Sequence, residues 1–221
     1  MKLPNHRISV PTFLKVGKST LSYLGEILQE NELKQVVVFF GNGLINLFGT
    51  TVFNSLKAHQ IELLHYEELD STHIEDITKL AFSLPGKTEA IIAIGGGKVI
   101  DAAKYASFLK RLPFISIPTS SSSDGFSSSS ASLLVEGRRT SVPAKLAYGI
   151  VVDLDVIKSA PEKFIYSGIG DLISKITALY DWIYEYEYGV GQLDDFALMI
   201  AKKPLTASSV PPLNLLKMIF S

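Results

Sequence analysis

The chain has 221 residues, 47% of them hydrophobic, a formal net charge of −1 and no cysteine. That length holds one sizeable domain plus part of another, and a near-neutral balance with no basic face of interleaved aromatics argues against nucleic-acid binding. Absence of cysteine excludes disulfides and thiolate metal sites. No apolar run reaches the roughly 18–20 residues of a membrane span, and MKLPNHRISV lacks the apolar core of a signal peptide, so a soluble, cytoplasmic protein is expected.

Residues 7–16 read as two short extended segments broken by Pro11, followed by an amphipathic helix from about Ser19 with Leu21, Leu24, Ile27 and Leu28 on one face. Val36 to Phe40 is a strand without a polar side chain, so both of its faces are expected to be covered. It ends in Gly41-Asn42-Gly43, a turn suited to a strand-to-helix handover, before a helix from about Leu44 to His59. A strand from Ile61 to Tyr66 follows, then a helix from Ser71 to Phe82 with a serine or threonine cap and Glu75 or Asp76 in its first turn.

The stretch from Glu89 to Lys104, EAIIAIGGGKVIDAAK, organises the rest. A buried strand, Ala90 to Ile94, breaks into Gly95, Gly96 and Gly97 and resumes at helical spacing with Val99, Ile100, Ala103 and Ala106. Strand, triple glycine and helix let a backbone approach a diphosphate closely, with free N–H groups at the helix start attracting the anion. An ordinary glycine turn would look the same, because the run is neither GxGxxG nor a P-loop. After the strand Phe114 to Ile117 comes PTSSSSDGFSSSSAS, nine serines in fifteen residues. Such composition often marks a linker, but its place directly after a buried strand is that of a ligand loop at the carboxyl end of a sheet. An apolar run Ser132 to Val135, a turn at Arg138-Arg139 and a last strand Ile150 to Val152, closed by Asp153 to Asp155, complete the alternating part. Alternating strands and helices predict an α/β, doubly wound, mostly parallel sheet. From Pro161 the pattern is helical, with helices expected over Ile169 to Tyr186 and Gln192 to Lys202. The expected division is therefore a nucleotide-binding α/β domain over 1–160, the first helices of an incomplete helical domain over 161–203, and a non-native or disordered tail over 204–221.

GGGKVIDAAK, then PTSSSSDG, then GIGDLISK and DW occur in order between Val36 and Trp182. This succession resembles the superfamily of iron-dependent alcohol dehydrogenases, glycerol dehydrogenases and dehydroquinate synthases. The DLISK and DW pieces are most similar to sn-glycerol-1-phosphate dehydrogenases. The resemblance implies a nucleotide domain followed by an all-helical domain, with NAD or NADP and a divalent metal (zinc, nickel or iron) in the cleft between them. It implies that Gly95, Gly96 and Gly97 hold the cofactor diphosphate and that Asp101 faces the nicotinamide half, although an acid there also complements its own helix start. Thr119 and Ser120 would line the cofactor. Asp124 would meet substrate hydroxyls, with a solvated turn residue as the alternative. Asp171 matches the first metal ligand, with a helix cap as the alternative, and Lys175 and Lys145 are weak candidates for a substrate phosphate. Asn42 falls where NAD-specific members place an acid against the ribose 2′-hydroxyl; without a carboxylate, a 2′-phosphate is not repelled.

One departure bears on activity. The resemblance calls for two histidines from the helical domain, yet His6, His59, His65 and His73 all precede the glycine stretch. One carboxylate is short of the roughly three protein ligands a catalytic metal needs. The uncharacteristic ending after Lys203 suggests a truncated or frame-shifted product, or a dedicated short paralogue. The expected function is reduction of dihydroxyacetone phosphate, a phosphorylated triose, by NAD(P)H in the complete enzyme. This chain is expected to be inactive alone, and a homo-oligomer is compatible with the family. A glycerol dehydrogenase-like enzyme and a non-catalytic nucleotide-binding remnant are the alternatives.

Overall fold

A computed structural model describes residues 9–206. Six strands form one parallel sheet in the order β1-β8-β5-β4-β2-β3: β1 (Phe13–Gly17), β2 (Gln35–Phe40), β3 (Glu62–Glu68), β4 (Ala90–Gly95), β5 (Phe114–Pro118) and β8 (Gly149–Asp153). The remaining two, β6 (Ser130–Val135) and β7 (Arg138–Pro143), form a separate antiparallel hairpin. Helices α1 (Leu24–Glu30) and α2 (Leu44–Ala58) cover one sheet face; α3 (Ile74–Ser83) and α4 (Gly97–Lys110) cover the other. The unbroken apolar run of β2 follows from this double cover. Val36, Val38 and Phe40 pack with α1 and α2, while Val37 and Phe39 pack with α3 and α4, all fully buried.

Several local expectations are corrected. The helix expected from Ser19 opens as a one-turn 3-10 helix, Thr20–Tyr23, because Ser19 is left-handed and is tied through its N–H and hydroxyl to Asp155 Oδ2. Helix α3 starts at Ile74, and its cap position is His73 rather than a serine or threonine; the Ser71 hydroxyl instead accepts the His73 N–H and donates to Asp76. Arg138 and Arg139 are not a turn but the start of β7. The turn is Glu136-Gly137, with φ of 49° and 75°, the double positive φ that two-residue hairpins favour. The polar sequence of β7 hid it, since nearly all of that strand is exposed.

Asp153 does more than close β8. It is 2% exposed; Oδ1 accepts the N–H groups of Asp155 and Val156, capping the short helix α5 (Leu154–Ser159), while Oδ2 accepts the Leu21 N–H at 2.8 Å. Removing a cap that also satisfies a second buried donor costs about 2 kcal/mol. Asp153→Ala is therefore expected to lower the melting temperature by roughly 5 °C, read by thermal circular dichroism.

The chain divides into two compact units between Ile165 and Tyr166. The second holds most of α6 (Lys163–Glu187), which starts six residues before the expected Ile169, and α7 (Asp195–Thr206). Helix α7 runs through Pro204, past the expected end at Lys202. The rest of the expected tail, 207–221, lies outside the described residues. No described helix is long and apolar enough to cross a membrane.

Candidate nucleotide crevice

Strands β2 and β4 lie side by side, yet the chain leaves them in opposite directions, from β2 outward to β3 and from β4 inward to β5. Such a switch point opens a crevice at the carboxyl ends of the strands. Phe40 is level with Ile94, and the Gly41 N–H donates to Ile94 O at 2.9 Å. Gly95 sits where the two strand ends and the first turn of α4 converge. Its φ is +156°, and a Cβ there would lie 2.5 Å from Val99 Cγ1 and 3.1 Å from Gly41 N.

Beyond it the crowding ends. An added Cβ on Gly96 or Gly97 would meet nothing within 4 Å. Gly96 is the N-cap of α4; no side chain caps this helix and no acid lies in its first turn. The first intrahelical bond is Ile100 N–H to Gly96 O, so the N–H groups of Gly97, Lys98 and Val99 precede the ladder. These residues line a cavity of about 520 Å³ together with Asn42, Thr119, Ser120 and Ser122, and with Leu44, Leu47 and Leu69 as an apolar wall. Thr119 is held by its N–H to Gly95 O at 3.1 Å, and the Ser120 and Ser122 hydroxyls are 3.3 Å apart. Lys98 pairs with Asp70 at 3.3 Å, but both side chains are largely exposed, so the pair adds little.

Other expected site residues lie elsewhere. Asp101 does not line this crevice: Oδ1 accepts from Lys104 Nζ and Oδ2 from the Ser132 N–H, each at 3.1 Å. Asp124 opens the 3-10 turn Gly125–Ser127. Lys145 borders a larger cavity, about 1150 Å³, beside Arg111, Pro113 and Tyr148 at the amino ends of β5 and β8. Size alone does not favour that cavity, since it has neither a glycine turn nor a helix start. Asp171 and Lys175 face each other one turn apart on α6, Nζ to Oδ1 3.8 Å. His59 Nδ1 meets Ser55 O, His65 Nε2 meets Glu67 Oε1, and His73 precedes α3. Among the described residues no three His, Cys, Asp or Glu gather as a metal centre would require.

Lys104 is hardly legible as a site residue in the sequence. It sits in an alanine-rich helix, where one lysine reads as solvated, yet it is 0% exposed. The only signal was the acid three residues before it.

Comparison with known proteins agrees with this architecture. The family described as iron-containing alcohol dehydrogenase matches residues 15–161. Among curated relatives, glycerol-1-phosphate dehydrogenase [NAD(P)+] of Metallosphaera sedula is 34% identical over 216 residues, 95% of this chain and 61% of the relative. That of Thermofilum pendens is 32% identical over 176 residues, 79% of this chain and 50% of the relative. The chain thus spans between half and about three-fifths of the length of these two relatives. Among solved structures, glycerol dehydrogenase from Schizosaccharomyces pombe superposes with a TM-score of 0.68 at 27% identity, covering 77% of this chain and 44% of that one. With the family matched across most of the α/β unit, the chain belongs to the iron-containing alcohol dehydrogenases.

Proposed function

We propose that this chain is the nucleotide-binding part of an NAD(P)-dependent oxidoreductase of the glycerol-1-phosphate dehydrogenase type, which interconverts dihydroxyacetone phosphate and sn-glycerol 1-phosphate. The observation that carries the reading is the uncapped start of α4, set beside bare glycines at the switch point of the sheet. The N–H groups of Gly97, Lys98 and Val99 would hold the diphosphate, where the helix dipole adds attraction. Gly96 and Gly97 leave the room such an anion needs, and Gly95 keeps the turn tight enough to present them. The hydroxyls of Thr119 and Ser120 stand beside the same space, while Leu44, Leu47 and Leu69 give it an apolar wall. Asn42 would meet the ribose next to the diphosphate and accept either a hydroxyl or a phosphate there. When bound, the nicotinamide supplies the hydride.

A metal does not fit the donor set described: Asp171 has a cation, Lys175, as its neighbour on the helix, and among the described residues no three His, Cys, Asp or Glu gather around one point. That donor set favours a second reading for the 221-residue chain alone, nucleotide binding without turnover. The helices from residue 161 onward would belong to the helical domain of such an enzyme. Titration of the chain with NADH and NADPH, followed by nicotinamide fluorescence, is expected to saturate with both, NADPH binding no more weakly than NADH. Absence of a saturable signal with either would contradict the reading.

A further inference from the structure

Lys104 is a cation with no access to solvent, placed in the middle of α4. Its Nζ lies 2.7 Å from Gly125 O, 2.8 Å from Ser130 O, 3.1 Å from Ser128 Oγ and 3.1 Å from Asp101 Oδ1. Three of these four partners belong to the serine-rich loop. Burial pushes the ammonium below the usual lysine range, and the carboxylates of Asp101 and Asp124 oppose that push. A buried charge is a poor device for stability alone, since a well-packed apolar side chain would serve as well or better. An ammonium is, however, a compact donor that can draw several carbonyl oxygens onto one point.

Both anchors of the loop lie on the β4–α4 unit that carries the glycine turn. The near end is held by the Thr119 N–H on Gly95 O, the far end by Lys104, and Asp101 extends the clamp by accepting the Ser132 N–H at the start of the hairpin. The geometry points to Lys104 as a positioning residue, whose buried ammonium pins the far end of the serine-rich loop to α4 and thereby sets the path of Thr119 to Asp124 beside the crevice. The consequence for cofactor affinity rests on the nucleotide reading above; the clamp itself does not.

The absence of cysteine from the chain permits a direct test. Lys104→Cys is unfolded, alkylated and refolded as two forms: bromoethylamine restores an ammonium at nearly the length of lysine, and iodopropane gives an apolar chain of the same shape. The aminoethyl form is expected to match the wild type. The propyl form should keep amide-exchange protection in β2, β4 and β5, while residues 120–130 exchange roughly tenfold faster and the NADH dissociation constant rises about tenfold. Wild-type loop protection and affinity in the propyl form would overturn the inference. So would an equal loss of protection in the strands, or failure of that form alone to refold, because Lys104 would then serve the core as a whole. Ser128→Ala, which removes one partner and leaves the lysine, should loosen the same segment to a smaller extent; no loosening would count against the clamp. If the wild type does not bind NADH but the exchange pattern holds, the nucleotide reading falls and the clamp stands.

Discussion

Gly96→Val is expected to abolish NADH binding while leaving the melting temperature close to that of the wild type. The backbone at Gly96 is extended, with φ −85° and ψ −174°, a region every L-residue can adopt. A new Cβ meets no protein atom within 4 Å, so the fold has nothing to rearrange. The added isopropyl group would stand in the crevice, where the anion must come close to the backbone, and would also shield the first N–H groups of α4. Gly95→Ala is the complementary case. There the new methyl runs into Val99 and the Gly41 backbone at a positive φ, and the expected result is a loss of about 1–3 kcal/mol of stability. Measuring binding and melting for both variants separates occlusion of the crevice from damage to the fold. Undiminished NADH affinity in Gly96→Val would mean that the diphosphate lies elsewhere.

The second large effect is expected in turnover. The 221-residue chain is expected not to oxidise NADH or NADPH with dihydroxyacetone phosphate, whether or not Zn²⁺, Ni²⁺ or Fe²⁺ is added. Hydride arriving at an unpolarised ketone leaves the developing alkoxide uncompensated, and losing even one well-placed electrostatic donor typically costs about 10²–10³ in rate. Among the described residues the three-fold donor cluster that could hold a metal is absent, and Asp171 is paired with Lys175. An Asp171→Asn control belongs beside the assay. Metal-dependent turnover that disappears in this control would show that a complete site forms from groups outside those described.

How much of this was legible in the sequence depended on the kind of signal. The buried strands Val36 to Phe40 and Ala90 to Ile94 were plain, because double-sided burial leaves no polar position in the run. The glycine turn was plain too, since strand, three glycines and helix leave few alternatives. β7 was not, because an exposed hairpin strand of Arg, Thr and Ser has no apolar alternation to reveal it. α5 is six residues long, too short for a helical period to show, though Asp153 was already marked as the end of its strand. Asp101 looked like a cofactor contact by resemblance; its bond from the Ser132 N–H depends on a segment some thirty residues further on folding back against α4, which no local pattern contains. For Lys104 the acid three residues earlier was the one local sign, and its loop partners at Gly125, Ser128 and Ser130 were out of reach of any local pattern.

Amide chemical-shift mapping with NADH tests the location of the crevice most directly. The expected shifts fall on Asn42, on Gly96 to Val99 and on Thr119 and Ser120, and saturate together as one site. Shifts centred instead on Arg111, Lys145 and Tyr148 around the larger cavity, with the start of α4 unmoved, would contradict the assignment of the glycine turn as the cofactor site.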